Sequence, residues 1–129
     1  MPKDFSILIV DHSPMLKRLM RQSLQEKKNL HLIEAQDGKD ALDKLMEHRI
    51  DLIVSGINMP KVNGLELLKA LKNHSALKSI PFVVLTSETE DDMFKQCMAS
   101  GADDFIKKPF TGDDLIIKIQ SILGWLEKQ

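Results

Sequence analysis

The chain has 129 residues, enough for one domain with a single buried core and short for two. Apolar residues make up 43% and charged residues 29%, which fits a globular protein and excludes a disordered, charge-dominated chain. Eighteen basic residues against nineteen acidic ones leave a net charge of −1, so no global field draws the chain to nucleic acid or to an anionic membrane, and neither partner is expected.

In chain order, the N-terminal Met-Pro-Lys-Asp-Phe lacks the apolar core of a secretion signal, and we expect a cytoplasmic protein. Ser6 to Val10 is a short β-branched apolar run closed by Asp11, which predicts a strand. Pro14 to Lys28 carries Met15, Leu16, Leu19, Met20 and Leu24 at helical spacing. The alternation repeats with a strand over Leu30 to Ala35 and a helix over Gly38 to His48, in which Ala41, Leu42, Leu45 and Met46 share one side. Asp51 to Ser55 is the third strand, and Leu65, Leu68 and Leu71 mark the third helix after a loop punctuated by Pro60 and Gly64. Pro81 to Thr86 is the fourth strand, followed by a helix from about Glu90 to Ser100 with Gly101 as its stop. Asp104 to Lys107 is the fifth strand. Thr111 caps the last helix, with Asp114 three residues on as a shorter stand-in for a capping-box Glu, and Leu115, Ile116, Ile119, Ile122, Leu123 and Leu126 supply its buried face. The longest uncharged runs, Leu52 to Pro60 and Ser79 to Ser87, are too short for the roughly 20 residues a bilayer demands. Cys97 is the only cysteine, which excludes an internal disulfide and leaves packing as its expected role. The methionine sets, Met15 with Met20, Met46, and Met93 with Met98, fall at core spacing and are expected to fill gaps.

Five βα units with near-continuous apolar strands predict a doubly wound α/β fold, a (βα)5 three-layer sandwich with a parallel sheet covered on both faces, and we expect it to fill residues 1–129 as one domain. Ligands of such sheets bind beyond the carboxyl ends of the strands. Those ends carry Asp11 and His12, then Ser55, Gly56, Ile57 and Asn58, then Thr86 and Ser87, then Lys107, Lys108 and Pro109. A carboxylate, hydroxyls and an ammonium are thereby expected to converge.

These segments, with Ser13-Pro14, Asn58-Met59-Pro60, Asn63-Gly64-Leu65-Glu66, Val84-Leu85-Thr86, Gly101-Ala102 and Lys108-Pro109-Phe110, resemble the receiver domain of two-component response regulators, the CheY-like family. The resemblance implies a flavodoxin-like sheet in the order 2-1-3-4-5. It also implies a phosphoryl switch, in which a carboxylate ending the third strand accepts a phosphoryl group beside a magnesium ion. Carried over by position, Asp11 matches the first acidic residue, Thr86 the hydroxyl, Lys108 the lysine, and Asn58 the carbonyl donor to the metal. His12 stands where a second acid is usual, and Gly56 stands where the acceptor aspartate is usual. Glycine has no side chain on which an acyl phosphate could form. Three carboxylates reduced to one, with a neighbouring imidazole, imply magnesium binding that is weak or absent at Asp11 and Asn58, and no other cofactor is expected.

Alone, Asp11 reads as a turn or cap and His12 as an ordinary loop histidine, while Thr86 is as well suited to local backbone as to phosphate. Ser55 is expected to face solvent or a helix, Ser87 flanks the cleft, and Lys108 is expected to precede a cis peptide and to contact Asp11. The resemblance makes Phe105 the aromatic of a partner-facing surface shared with Lys107. An apolar ring with no hydroxyl to hydrate is expected to turn inward. Two functions follow. The first is a pseudo-receiver without enzymatic activity, acting by contact on signalling proteins such as a histidine kinase or a downstream effector. The second is an ordinary magnesium-dependent phosphoaccepting regulator in which the acceptor aspartate was changed to Gly56. A flavin protein of the same architecture ranks third, because no glycine-rich or hydroxyl-rich phosphate cradle follows the first strand. Trp125 packs the last helix or projects to a partner, and the residues leave that choice open.

Overall fold

A computed structural model describes residues 4–25 and 27–127, without the side chains of residues 88 and 125–127. Strand β1 spans Phe5–Val10, helix α1 Pro14–Leu24, β2 Leu30–Ala35, α2 Gly38–Glu47, β3 Leu52–Gly56 and α3 Gly64–Lys72. Then follow β4 over Phe82–Thr86, a 3-10 turn over Glu88–Glu90, α4 over Asp91–Ala99, β5 over Asp104–Lys107 and α5 over Gly112–Glu127. The strands form one parallel sheet in the order β2-β1-β3-β4-β5, the expected doubly wound arrangement.

Alternation along the central strands divides the core in two. Ile7, Ile9, Leu52, Val54, Val83 and Leu85 point to the side covered by α1 and α5. Leu8, Val10, Ile53 and Val84 point to the side covered by α2, α3 and α4. Successive side chains of a strand alternate faces, so each central strand supplies both layers and must be apolar throughout.

The helices start where their sequences say. Ser13, Asp37 and Asn63 cap α1, α2 and α3, accepting from Leu16, Asp40 and Glu66 N–H respectively. Before α5, the Thr111 and Asp114 side chains each accept from the other's backbone N–H, at 3.1 and 2.8 Å, as expected of a shortened capping box. Gly101 follows α4 with φ +108°, a left-handed conformation suited to glycine.

Two readings need correction. α1 stops at Leu24, not Lys28, because the polar stretch beyond it offers no residue to bury. Met20 is fully buried, but Met15 is 79% and Met46 73% exposed. The inward line of α1 is Leu16, Met20 and Leu24, four residues apart, and Met15 lies about 100° around the helix from it. On α5 the expected buried face holds for the described residues, with Leu115, Ile119 and Leu123 buried and Ile116 and Ile122 packed partly buried against them, and the side chains of Leu126 and Trp125 lie outside the described ones.

Candidate functional site

Asp11 follows β1 at the carboxyl edge of the sheet and is 3% exposed. Its backbone N–H donates to Ala35 C=O at 3.1 Å, extending the pairing with β2 by one residue. Its Oδ1 accepts from Ser13 N–H at 2.7 Å, a turn that leads directly into the α1 cap. Its Oδ2 points at β3, and lies 2.5 Å from where a Cβ on Gly56 would be. Gly56 pairs with Leu85 of β4, so the carboxylate is directed at the middle of the sheet's edge. Behind Gly56 the packing is backbone on backbone: a side chain on Gly64 would overlap the Gly56 carbonyl.

Ser55 is fully buried and donates through Oγ to the Gly56 carbonyl at 2.8 Å. It does not reach solvent: its neighbour's carbonyl lies within reach and satisfies the hydroxyl, and by alternation it shares the face of Ile53, on the side of the sheet covered by helices. Thr86 is 4% exposed, and its Oγ1 donates to the Ser87 carbonyl at 3.4 Å, a local backbone bond. His12 and Asn58 are exposed.

The Lys108–Pro109 peptide is cis, as expected, and Lys108 N–H donates to Thr86 C=O at 2.7 Å, tying the loop after β5 to the end of β4. The expected Asp11–Lys108 contact is not made: the two side chains form no ion pair within 4.0 Å. Asp11 is occupied by the Ser13 N–H, and Lys108 borders a groove along α1 with Ser13, Met15, Arg18, Leu19 and Phe110.

Among the described residues no three His, Cys, Asp or Glu side chains gather in metal-binding geometry. At this edge one carboxylate, Asp11, is buried and the His12 imidazole is exposed, where magnesium or calcium takes an oxygen-rich shell.

Two features of this edge escaped the sequence reading. Glu90 is 9% exposed, and its Oε1 accepts from both Ser87 N–H, at 3.1 Å, and Ser87 Oγ, at 2.9 Å. Ser87-x-x-Glu90 ahead of the apolar Met93 and Phe94 is the pattern of a helix start, and spacing alone was sufficient to flag it. The Cys97 thiol, buried seven residues further along, is pushed above its ordinary value first by burial and then by the Glu90 charge, with Lys69 opposing.

At the sheet's far edge Phe105 is 39% exposed, which overturns the inward position expected of it. β5 is an edge strand, and α4 covers that edge only in part. The ring meets Phe94 of α4 edge-on at 5.0 Å between centroids, and Lys118 Nζ of α5 lies 5.9 Å from its centre. Lys118 also pairs with Asp104 at 3.1 Å. Lys107 and Ile117 are exposed beside the ring, around a shallow cavity of about 300 Å³.

The family described as response regulator receiver domain matches residues 7–120. The chain is 36% identical over 118 residues to the two-component response regulator ORR1 of Oryza sativa, with 84% of this chain and 51% of that protein covered. It is 33% identical over 116 residues to the chemotaxis protein CheY of Pseudomonas aeruginosa, covering 90% of this chain and 94% of the relative. The chain therefore spans about half the length of the rice regulator and nearly all of the bacterial one. Among solved structures, chemotaxis response regulator CheY4 of Vibrio cholerae superposes with a TM-score of 0.85 at 32% identity, covering 93% of this chain and 99% of that one. The signal receiver domain of a signal transduction histidine kinase from Syntrophus aciditrophicus superposes with a TM-score of 0.87 at 30% identity, covering 97% and 94%. With the expected strand order, the strand-end residues in place and a family match over nearly the whole chain, the protein belongs to the two-component response regulator receiver domains, which are signalling modules.

Proposed function

We propose that this receiver domain is a pseudo-receiver, which signals through protein contacts without aspartyl phosphorylation. The observation that carries the reading is Gly56 at the end of β3, with Asp11 Oδ2 directed into the room a side chain there would take. An acyl phosphate needs a carboxylate facing the cleft, and glycine supplies none. His12 in place of a second acid lowers the negative charge further, so weak or absent magnesium binding belongs to the same reading.

Contact with a partner is assigned to the face made by α4, β5 and α5. Phe105, Lys107 and Ile117 stand exposed there, an aromatic and an aliphatic side chain beside a cation. Partly exposed aromatic anchors of this kind are enriched where proteins meet. The partner class is a signalling protein of a two-component system, a histidine kinase or a downstream effector, met in the cytoplasm. One domain over the whole sequence is part of the same proposal.

The test is incubation of the native chain and of Gly56→Asp with a small acyl phosphate donor and magnesium, read by intact mass. No phosphoryl adduct on the native chain is expected. An adduct on it, labile in the manner of an acyl phosphate, overturns the reading. An adduct on Gly56→Asp alone identifies the missing carboxylate as what the cleft lacks; none on either chain places the loss in the rest of the cleft as well.

A further inference from the structure

The turn between β4 and α4 is closed by its own side chains. Thr86 Oγ1 donates to Ser87 C=O, Glu90 N–H donates to the same carbonyl at 3.1 Å, and Glu90 Oε1 takes both donors of Ser87. The Ser87 hydroxyl also lies 3.0 Å from Thr89 Oγ1. Among the described residues no cationic side chain lies within 4.0 Å of Glu90, although it is nearly buried. A carboxylate held that deep without a counter-charge depends on the hydrogen bonds it receives and on the positive end of the helix behind it. Among the described residues those bonds come from Ser87. α4 begins at the position after Glu90, and four residues beyond Glu90, one helical turn, Phe94 meets the Phe105 ring.

We propose that the Ser87–Glu90 clamp is a positioning device that holds the start of α4, and with it the Phe94–Phe105 contact, in one arrangement, so that the partner face is set by the chain itself and needs no event in the cleft. The proposal rests on the pseudo-receiver reading: a domain that takes no phosphoryl group still has to fix the geometry of its contact face. The raised Cys97 thiol, one side of which feels the Glu90 charge, agrees with an inward-facing carboxylate.

The experiment is residue-resolved amide exchange on the full chain, comparing native protein with Glu90→Ala, Glu90→Gln and Ser87→Ala. Glu90→Ala removes a hydrogen bond to a charged group, and amides from Ser87 to Phe94 are expected to exchange about tenfold faster or more, while those of β1 and β3 keep their rates. Ring shifts of Phe94 and Phe105 move with them. Glu90→Gln keeps the shape and one acceptor oxygen, and is expected to fall between native and Glu90→Ala, as is Ser87→Ala. Unchanged exchange over the turn, or an equal acceleration in every strand, overturns the clamp. Because exchange is measured without phosphodonor, its failure leaves the pseudo-receiver reading standing, whereas a phosphoryl adduct on the native chain sinks that reading whatever the exchange rates are.

Discussion

Asp11 Oδ2 and the α-carbon of Gly56 face each other across β1 and β3, with 2.5 Å between the oxygen and the position of a first side-chain carbon. The carboxylate is held there by Ser13 N–H through its other oxygen. Any side chain at Gly56 therefore displaces Asp11 before it reaches solvent.

Gly56→Ala is expected to destabilise the domain by about 1–3 kcal/mol, the usual range for forcing a carbon into a filled site. In an Asp11→Ala background the same change is expected to cost clearly less, because the obstructing oxygen is gone. Urea denaturation of the four chains measures the coupling. Equal costs in both backgrounds would show that something other than Asp11 resists the added carbon.

Gly64→Ala meets main chain, not the end of a side chain, since its Cβ would overlap the Gly56 carbonyl. A backbone carbonyl inside the sheet edge has nowhere to turn. The loss is expected to exceed that of Gly56→Ala, by thermal or urea unfolding, and Asp11→Ala is not expected to relieve it.

Methionine burial separates two residues that share a helix. Met20→Ala empties a fully buried site and is expected to cost about 2–5 kcal/mol. Met15→Ala, at 79% exposure, is expected to stay within about 0.5 kcal/mol of the native chain. A large loss at Met15 in unfolding experiments would require a packing contribution greater than its 79% exposure among the described residues allows.

Phe94 and Phe105 form an edge-to-face pair, worth about 0.5–1.5 kcal/mol beyond the area it covers. A double-mutant cycle with Phe94→Leu and Phe105→Leu is expected to return a coupling of that size. A coupling near zero would mean that the two rings are merely adjacent.

Asp40 supplies a pH dependence. Burial raises its carboxyl, but Gln36 N–H and the Lys44 ammonium outweigh that effect and leave it below the ordinary value of 3.8. A carboxylate depressed in the folded state stabilises it above the unfolded value, and the contribution is lost as pH falls through the folded value. Asp40→Asn is expected to lose the Asp40–Lys44 pair, about 0.3–0.5 kcal/mol at neutral pH, and to approach native stability at pH values below the folded-state value. A stability difference that does not change between pH 7 and the lowest pH at which the domain stays folded would assign the effect to something other than this ionisation.

The sequence by itself determined the order of the elements, the two-sided burial of the central strands, the cap at Thr111, the stop at Gly101 and the meeting of Asp11, Gly56, Thr86 and the Lys108 loop at one edge. All of these follow from local periodicity and turn chemistry, together with a connection rule that leaves parallel strands one way to cross over. Only the tertiary structure decided where side chains from different elements point. Asp11 binds Ser13 instead of Lys108, Met15 leaves the core that Met20 enters, and Phe105 lies outward between Phe94 and Lys118. Each of those outcomes depends on the register between strands and the rotation of a helix against the sheet, and these are fixed by contacts between residues far apart in the chain.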